Sequence, residues 1–225
     1  MNAWRGFLLV LVLSVPSLTV QAQEPPRPLD ARLVEAVYRI DAPAFTAPMH
    51  AAHVVSVPVF IATPPALWLG TLAAGADLAP PTALSMAWLG TFGTVTLLKN
   101  TIRRPRPFTV LDDIERRGMG PTDVIDPFSF PSGHAGLAFT IATSLSASYP
   151  EWYVIAPAYV WATTTALSRV WHGVHYPSDI AVGALLGSGI ALGAHALVNA
   201  LTDEEGADPT ALRSPPMVGV VLPIR

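Results

Sequence analysis

A chain of 225 residues with 51% hydrophobic and only 13% charged residues, at a mean hydropathy of +0.44, can build one core but carries too few charges to solvate an ordinary globular surface. A net charge of -3 without any basic stripe excludes an electrostatically driven nucleic-acid binder. The absence of cysteine excludes a disulfide framework, a thiolate metal site and a cysteine nucleophile.

The chain starts Met1-Asn2-Ala3-Trp4-Arg5, continues through an apolar run over 6–20, and reaches Val20-Gln21-Ala22 before a polar stretch. This is the layout of an export signal cleaved after Ala22, with retention as a first transmembrane helix as the alternative. Over 28–40, Leu29, Leu33, Val37 and Ile40 recur at helical spacing beside Arg32, Glu35 and Arg39. An amphipathic helix on a membrane surface is expected there, within a surface and linker region spanning 23–52.

Charge then nearly disappears. Between Arg39 and Lys99 only Asp41 and Asp77 are charged, and between Arg169 and Asp203 only Asp179 is. Five hydrophobic spans are predicted at 53–72, 82–99, 134–149, 152–169 and 179–201, the third of them short for a bilayer. Glycines and prolines inside them suit helices whose neighbours repair the backbone, and Gly183, Gly187 and Gly189 suit close helix contact. The expected fold is an all-α, polytopic membrane helical bundle with five transmembrane helices, or six if the N-terminal segment is retained. Residues 53–201 form its embedded domain and 202–225 a polar tail.

The chemistry-bearing residues fall in the polar connections. Lys99, the only lysine, is followed by Arg103, Arg104 and Arg106-Pro107, a cluster of cations able to neutralise a phosphate dianion without metal, or to fix topology. Pro131-Ser132-Gly133-His134 precedes the third span, with serine as N-cap, glycine permitting close backbone approach, and the helix dipole directed at an anion. Ser168-Arg169, His175 and Asp179 join the fourth span to the fifth. There a carboxylate on one ring nitrogen frees the other's lone pair for nucleophilic attack, whereas a purely structural role would make the pair a buried loop clamp. His50, His53, His172 and His195 match none of these groups and are expected to be structural.

In order and spacing, these three groups resemble the signature of the phosphatidic acid phosphatase type 2 superfamily at all of its positions from Lys99 to Asp179. The resemblance implies a metal-independent phosphatase of lipid phosphates or isoprenyl diphosphates. In it Lys99, Arg106, Ser132, Gly133 and Arg169 hold the phosphate, His175 attacks phosphorus, Asp179 orients His175, and His134 serves as acid and then base. It further implies no metal and no cofactor, with the bilayer as surroundings; the charge pattern gives no nucleic-acid partner, and alternating passage puts all three groups on one side of a bacterial inner membrane, which is the periplasmic side if the N-terminus is exported. A soluble periplasmic acid phosphatase or vanadate haloperoxidase carries a similar phosphate site. A binding or transport protein for anionic lipids is the alternative without chemistry.

Overall fold

In the computed structural model of the chain, residues 28–118 and 126–206 are described. The expected signal at 1–22 and the tail beyond Gly206 lie outside them. Among the described residues there are seven helices and no strand: α1 (Pro28–Tyr38), α2 (Pro43–Ala74), α3 (Ala79–Ile102), the single turn α4 (Pro107–Val110), α5 (Gly133–Ser148), α6 (Trp152–Trp171) and α7 (Pro177–Gly206).

Punctuation residues set most of these limits. Pro43 opens α2 at a first-turn position where no N–H is needed, so the helix begins there and not at His53; residues 43–52, expected as linker, are helical. Gly75, at φ 59°, ends α2 in the left-handed region and caps the carbonyls of Leu72 and Thr71. At the end of α3, Arg103 takes the same conformation at φ 53°, and Pro105 bars continuation of the helix. Ser132 caps α5, its Oγ accepting from the N–H of Ala135 at 3.4 Å. Residues 202–206 continue α7 beyond the exit expected at Leu201.

Helix α5 stands at the centre and packs against α7, α6 and α3, while α2 lies on α6 and touches α3 more lightly. At about 24 Å α5 is shorter than a bilayer's hydrocarbon core. It is enclosed by protein, not lipid, with Ala135, Ala138, Ile141 and Ala142 all buried, so it does not have to match that thickness. The α5–α7 contact is made backbone to backbone. A Cβ on Gly183 would stand 2.5 Å from the Ser132 carbonyl, and one on Gly187 2.1 Å from that of Gly136, so both positions require glycine.

The bundle buries several polar pairs and turns large apolar side chains outward. Inside, the Thr91 and Thr140 hydroxyls pair at 2.8 Å, and Thr143 binds Tyr159 and Ser188. Outside, Leu69, Leu89, Leu97 and Leu185 are each about two-thirds or more exposed. Hydrocarbon accommodates that surface and water does not. Helices α2 and α7 are individually long and apolar enough to cross a membrane. The protein is an all-α membrane bundle.

Four prolines, Pro48, Pro58, Pro64 and Pro65, lie inside α2, and at each the i to i-4 hydrogen bond cannot form. Asp30 of α1 accepts from the Ser178 hydroxyl, from the Ser178 N–H at 3.2 Å and from Arg104 at 2.8 Å, which ties α1 to the first turn of α7.

Candidate active site

Because the helices alternate in direction, the C-termini of α3 and α6 and the N-termini of α2, α5 and α7 meet at one end of the bundle. A polar cavity of about 130 Å³ lies there, lined by Lys99, Arg106, Asp126, Gly133, His134, Arg169 and His175. That is roughly four waters' worth of space, enough for a tetrahedral anion. Six of the eight residues singled out in the sequence therefore share one cavity. The other two stand behind its wall: Ser132 is fully buried as the cap of α5, with its N–H donated to the Asp179 carbonyl at 3.0 Å, and Asp179 is fully buried behind His175.

His175 is hydrogen-bonded at one ring nitrogen and faces a carboxylate with the other. Its Nε2 lies 3.2 Å from Arg106 Nη1. A guanidinium only donates, so Nε2 accepts through its lone pair and the proton sits on Nδ1. Nδ1 faces Asp179 Oδ2 at 3.5 Å, an ion-pair separation longer than a hydrogen bond. Burial, reinforced by the charges of Arg106 and Lys99, holds the His175 pKa well below the ordinary histidine value, so the ring is neutral.

Arg106 is buried and nearly saturated. Its Nε donates to the Asp126 carbonyl at 2.8 Å, Nη1 donates to the Val174 carbonyl at 2.9 Å, and Nη2 pairs with Asp126 Oδ2 at 3.1 Å. Arg169 is also buried; its Nη1 reaches His53 Nδ1 at 2.7 Å, while its Nε has no hydrogen-bond partner among the described residues. A buried guanidinium N–H without an acceptor is costly, and Arg169 contributes to the wall of an anion-sized cavity. The amino end of α5, with Gly133 on the lining, adds helix-dipole attraction for an anion.

Three contributions lie beyond what the spacing of motifs reveals. Arg104, read from sequence as one of four phosphate-binding cations, does not line the cavity. It backs Asp179 instead, donating to Oδ1 at 2.7 Å and to Ser178 and Asp30, with its guanidinium 3.9 Å from the Tyr176 ring centre. Arg103 is likewise turned away, its Nε donating to the Asn100 carbonyl in the last turn of α3. His53, expected to be structural, touches Arg169; its ring centre lies 4.4 Å from that of His172, which burial pushes down to about pKa 4. Asp126 arrives because the strand-like segment around Phe128 folds back along Pro105, with Ser129 donating to the Arg104 carbonyl at 2.8 Å.

Asp126 binds Lys99 through both carboxylate oxygens, at 2.9 and 3.2 Å, and Lys99 gives its remaining proton to the Phe128 carbonyl at 2.7 Å. Burial alone would raise the pKa of Asp126, but the Lys99 hydrogen bond and the Arg106 charge hold it below the usual value, so it is ionised. Of the charged residues in the connection between α4 and α5, Asp126 alone of the described residues lines the cavity. Arg117 instead stacks on Tyr38 at 3.9 Å, and Asp113 faces Arg39.

The polar cavity opens into an apolar one of about 360 Å³ between α2 and α3. The two share Lys99, Asp126, Gly133 and His134, and Phe60, Trp88 and Val95 contribute to the apolar walls. His134 stands at the junction with its ring edge-on to Phe60, centres 5.5 Å apart. Val57, Ile61 and Phe92 form an outer rim open to the surroundings. A further apolar cavity of about 320 Å³ continues down the groove past Phe60, Ile61 and Trp88.

A family model described as PAP2 superfamily matches residues 81–203. An undecaprenyl-diphosphatase of Sulfolobus acidocaldarius is 37% identical over 92 residues, which cover 41% of this chain and 42% of that protein. The chain thus spans less than half the length of that curated relative. Among solved structures, Aquifex aeolicus LpxE superposes with a TM-score of 0.58 at 27% identity, over 74% of this chain and 94% of that one. A transmembrane PAP2 type phosphatidylglycerolphosphate phosphatase of Bacillus subtilis superposes with a TM-score of 0.54 at 22% identity, over 78% and 85% respectively, and shares the fold.

Proposed function

Because the chain belongs to the PAP2 superfamily, we propose that it is a membrane phosphatase that removes phosphate from a lipid through a phosphohistidine. The observation that carries the reading is the continuity of the two cavities: a cationic pocket fit for a phosphoryl group opens, at His134, into an apolar slot fit for a hydrocarbon chain. A soluble phosphomonoester has no use for the second.

The chemistry follows from the geometry. The His175 Nε2 lone pair attacks phosphorus, and the bond from phosphorus to the lipid oxygen breaks. His134, at the junction where that oxygen lies, supplies its proton, and the lipid leaves as an alcohol. Arg106, Arg169 and the Gly133 N–H bind the three remaining phosphoryl oxygens, with the charge of Lys99, whose donors are spent on Asp126 and Phe128, acting at longer range; this is the main catalytic contribution in phosphoryl transfer. Asp179, held by Arg104, favours the positive charge that His175 acquires. A water then gives a proton to His134 and attacks phosphorus; the P–N bond breaks, inorganic phosphate departs and His175 is neutral again.

Purified protein in liposomes containing a long-chain lipid phosphate is expected to release inorganic phosphate, and to act on a water-soluble phosphomonoester with far lower kcat/KM. The attacking imidazole must be unprotonated. With a folded-state pKa below 6.5, activity persists as pH falls through 6.5 and is lost only when the lower folded value is crossed. Absence of release at every pH would overturn the phosphatase reading, and equal efficiency on the soluble ester would overturn the lipid one.

The lipid phosphate, or an isoprenyl diphosphate such as the curated relative's name describes, would be reached from the bacterial inner membrane with the site facing the periplasm. The cations at this end do not argue for a cytoplasmic face, because Lys99, Arg104, Arg106 and Arg169 have partners within the site that explain their position. The native chain has no cysteine, and Asp112 is exposed at this end. An Asp112→Cys variant should therefore react with a membrane-impermeant maleimide added outside cells whose outer membrane has been permeabilised. Labelling only after the inner membrane is broken would refute the orientation.

A further inference from the structure

We propose that Asp126 selects for lipid monophosphates and against lipid diphosphates, a proposal that rests on the phosphatase reading above. Asp126 lines both the polar cavity and the apolar slot, half-exposed where the two join. With the terminal phosphoryl group in the polar cavity, the leaving group occupies this junction. For a monophosphate ester the group beside Asp126 is an uncharged oxygen and methylene. For a diphosphate it is a second phosphate, which retains negative charge.

The cation that would welcome a second phosphate is already committed. All three Lys99 donors are used, two on Asp126 and one on the Phe128 carbonyl, so the pair presents no unsatisfied positive group at the junction. Arg106 turns two of its nitrogens toward Asp126, and Arg169 lies on the polar wall, where it serves the terminal phosphoryl group. An anionic leaving group therefore meets a carboxylate whose two neighbouring cations, Lys99 and Arg106, already turn donors to that carboxylate, and a charged group brought beside it without a donor of its own is disfavoured. With a monophosphate the same carboxylate lies beside a neutral atom and keeps Lys99 and Arg106 in place. Cleavage at the terminal phosphorus then gives one lipid alcohol and one inorganic phosphate for each water consumed.

The test compares isoprenyl monophosphate with the isoprenyl diphosphate of identical chain length, using wild-type protein and the Asp126→Asn variant in the same detergent. Wild type should favour the monophosphate by about tenfold or more in kcat/KM, and Asp126→Asn should raise the diphosphate value relative to the monophosphate value by about tenfold, since Lys99 is then released to the second phosphate. Asp126→Glu, which keeps the charge, should keep the wild-type preference. Equal wild-type efficiencies, a parallel fall of both activities in Asp126→Asn, or loss of both would overturn the proposal while leaving the phosphatase assignment intact. Wild-type protein silent on both substrates would instead overturn the assignment beneath it.

Discussion

Phosphate release by a His175→Ala variant is expected to fall by about 10⁴-fold or more, to the background of the assay. His175 is the one imidazole on the cavity wall whose lone pair is fixed from outside. Arg106 donates to Nε2, and the opposite nitrogen is directed at Asp179. Alanine removes the atom that would bond to phosphorus, and nothing else on the lining is placed to replace it: His134, at the junction, is positioned for the leaving oxygen. The bundle should survive, because His175 lies in the short α6–α7 connection and belongs to none of the buried hydrophobic clusters. Helical circular dichroism and elution volume in detergent check that. A properly folded variant with turnover within tenfold of wild type would end the phosphohistidine mechanism.

Arg106→Lys is expected to lower kcat/KM by about 10²- to 10³-fold although the formal charge is unchanged. The guanidinium reaches four groups at once, namely the Asp126 carbonyl, the Asp126 carboxylate, the Val174 carbonyl and His175 Nε2. A lysine ammonium has three donors on a flexible stem and no planar fork, so at least one of those groups is left unpaired in a buried setting. The nucleophile also loses the donor that fixes its lone pair. Phosphate-release kinetics over a range of lipid phosphate concentrations distinguish the outcomes. A variant within threefold of wild type would show that charge alone is required and that the geometry around Nε2 is incidental.

Those two residues were visible in the sequence because they sit at fixed offsets from other motif residues and from the ends of long apolar runs. The same is true of Lys99, Gly133, His134 and Arg169, which the alternating passage of helices gathers into one cavity. What stayed hidden depends on contacts made across the fold. Asp126 lies in a connection rich in both signs of charge, and only the fold-back along Pro105 brings it to Lys99. Arg104 is two residues from Arg106 and chemically identical, yet the break at Arg103 and Pro105 turns it to the far side of Asp179. His53 sits in an apolar helix with nothing in its neighbourhood to announce Arg169, which is 116 positions away. Helix α2 starts ahead of the apolar span at 53–72 because hydropathy marks where a segment becomes apolar, whereas a helix begins where a proline and free N–H groups permit it.

The close glycine crossing of α5 and α7 has a mechanical corollary. Two contacts one turn apart, with no side chain between the backbones, make that pair a stiff strut, and it carries Ser132, Gly133 and Asp179 in fixed register. Across the slot stands α2, a stave from which four hydrogen bonds are missing. Any deformation that widens the gap for a bulky tail is thus taken up where bending is easiest, while the reacting groups keep their spacing.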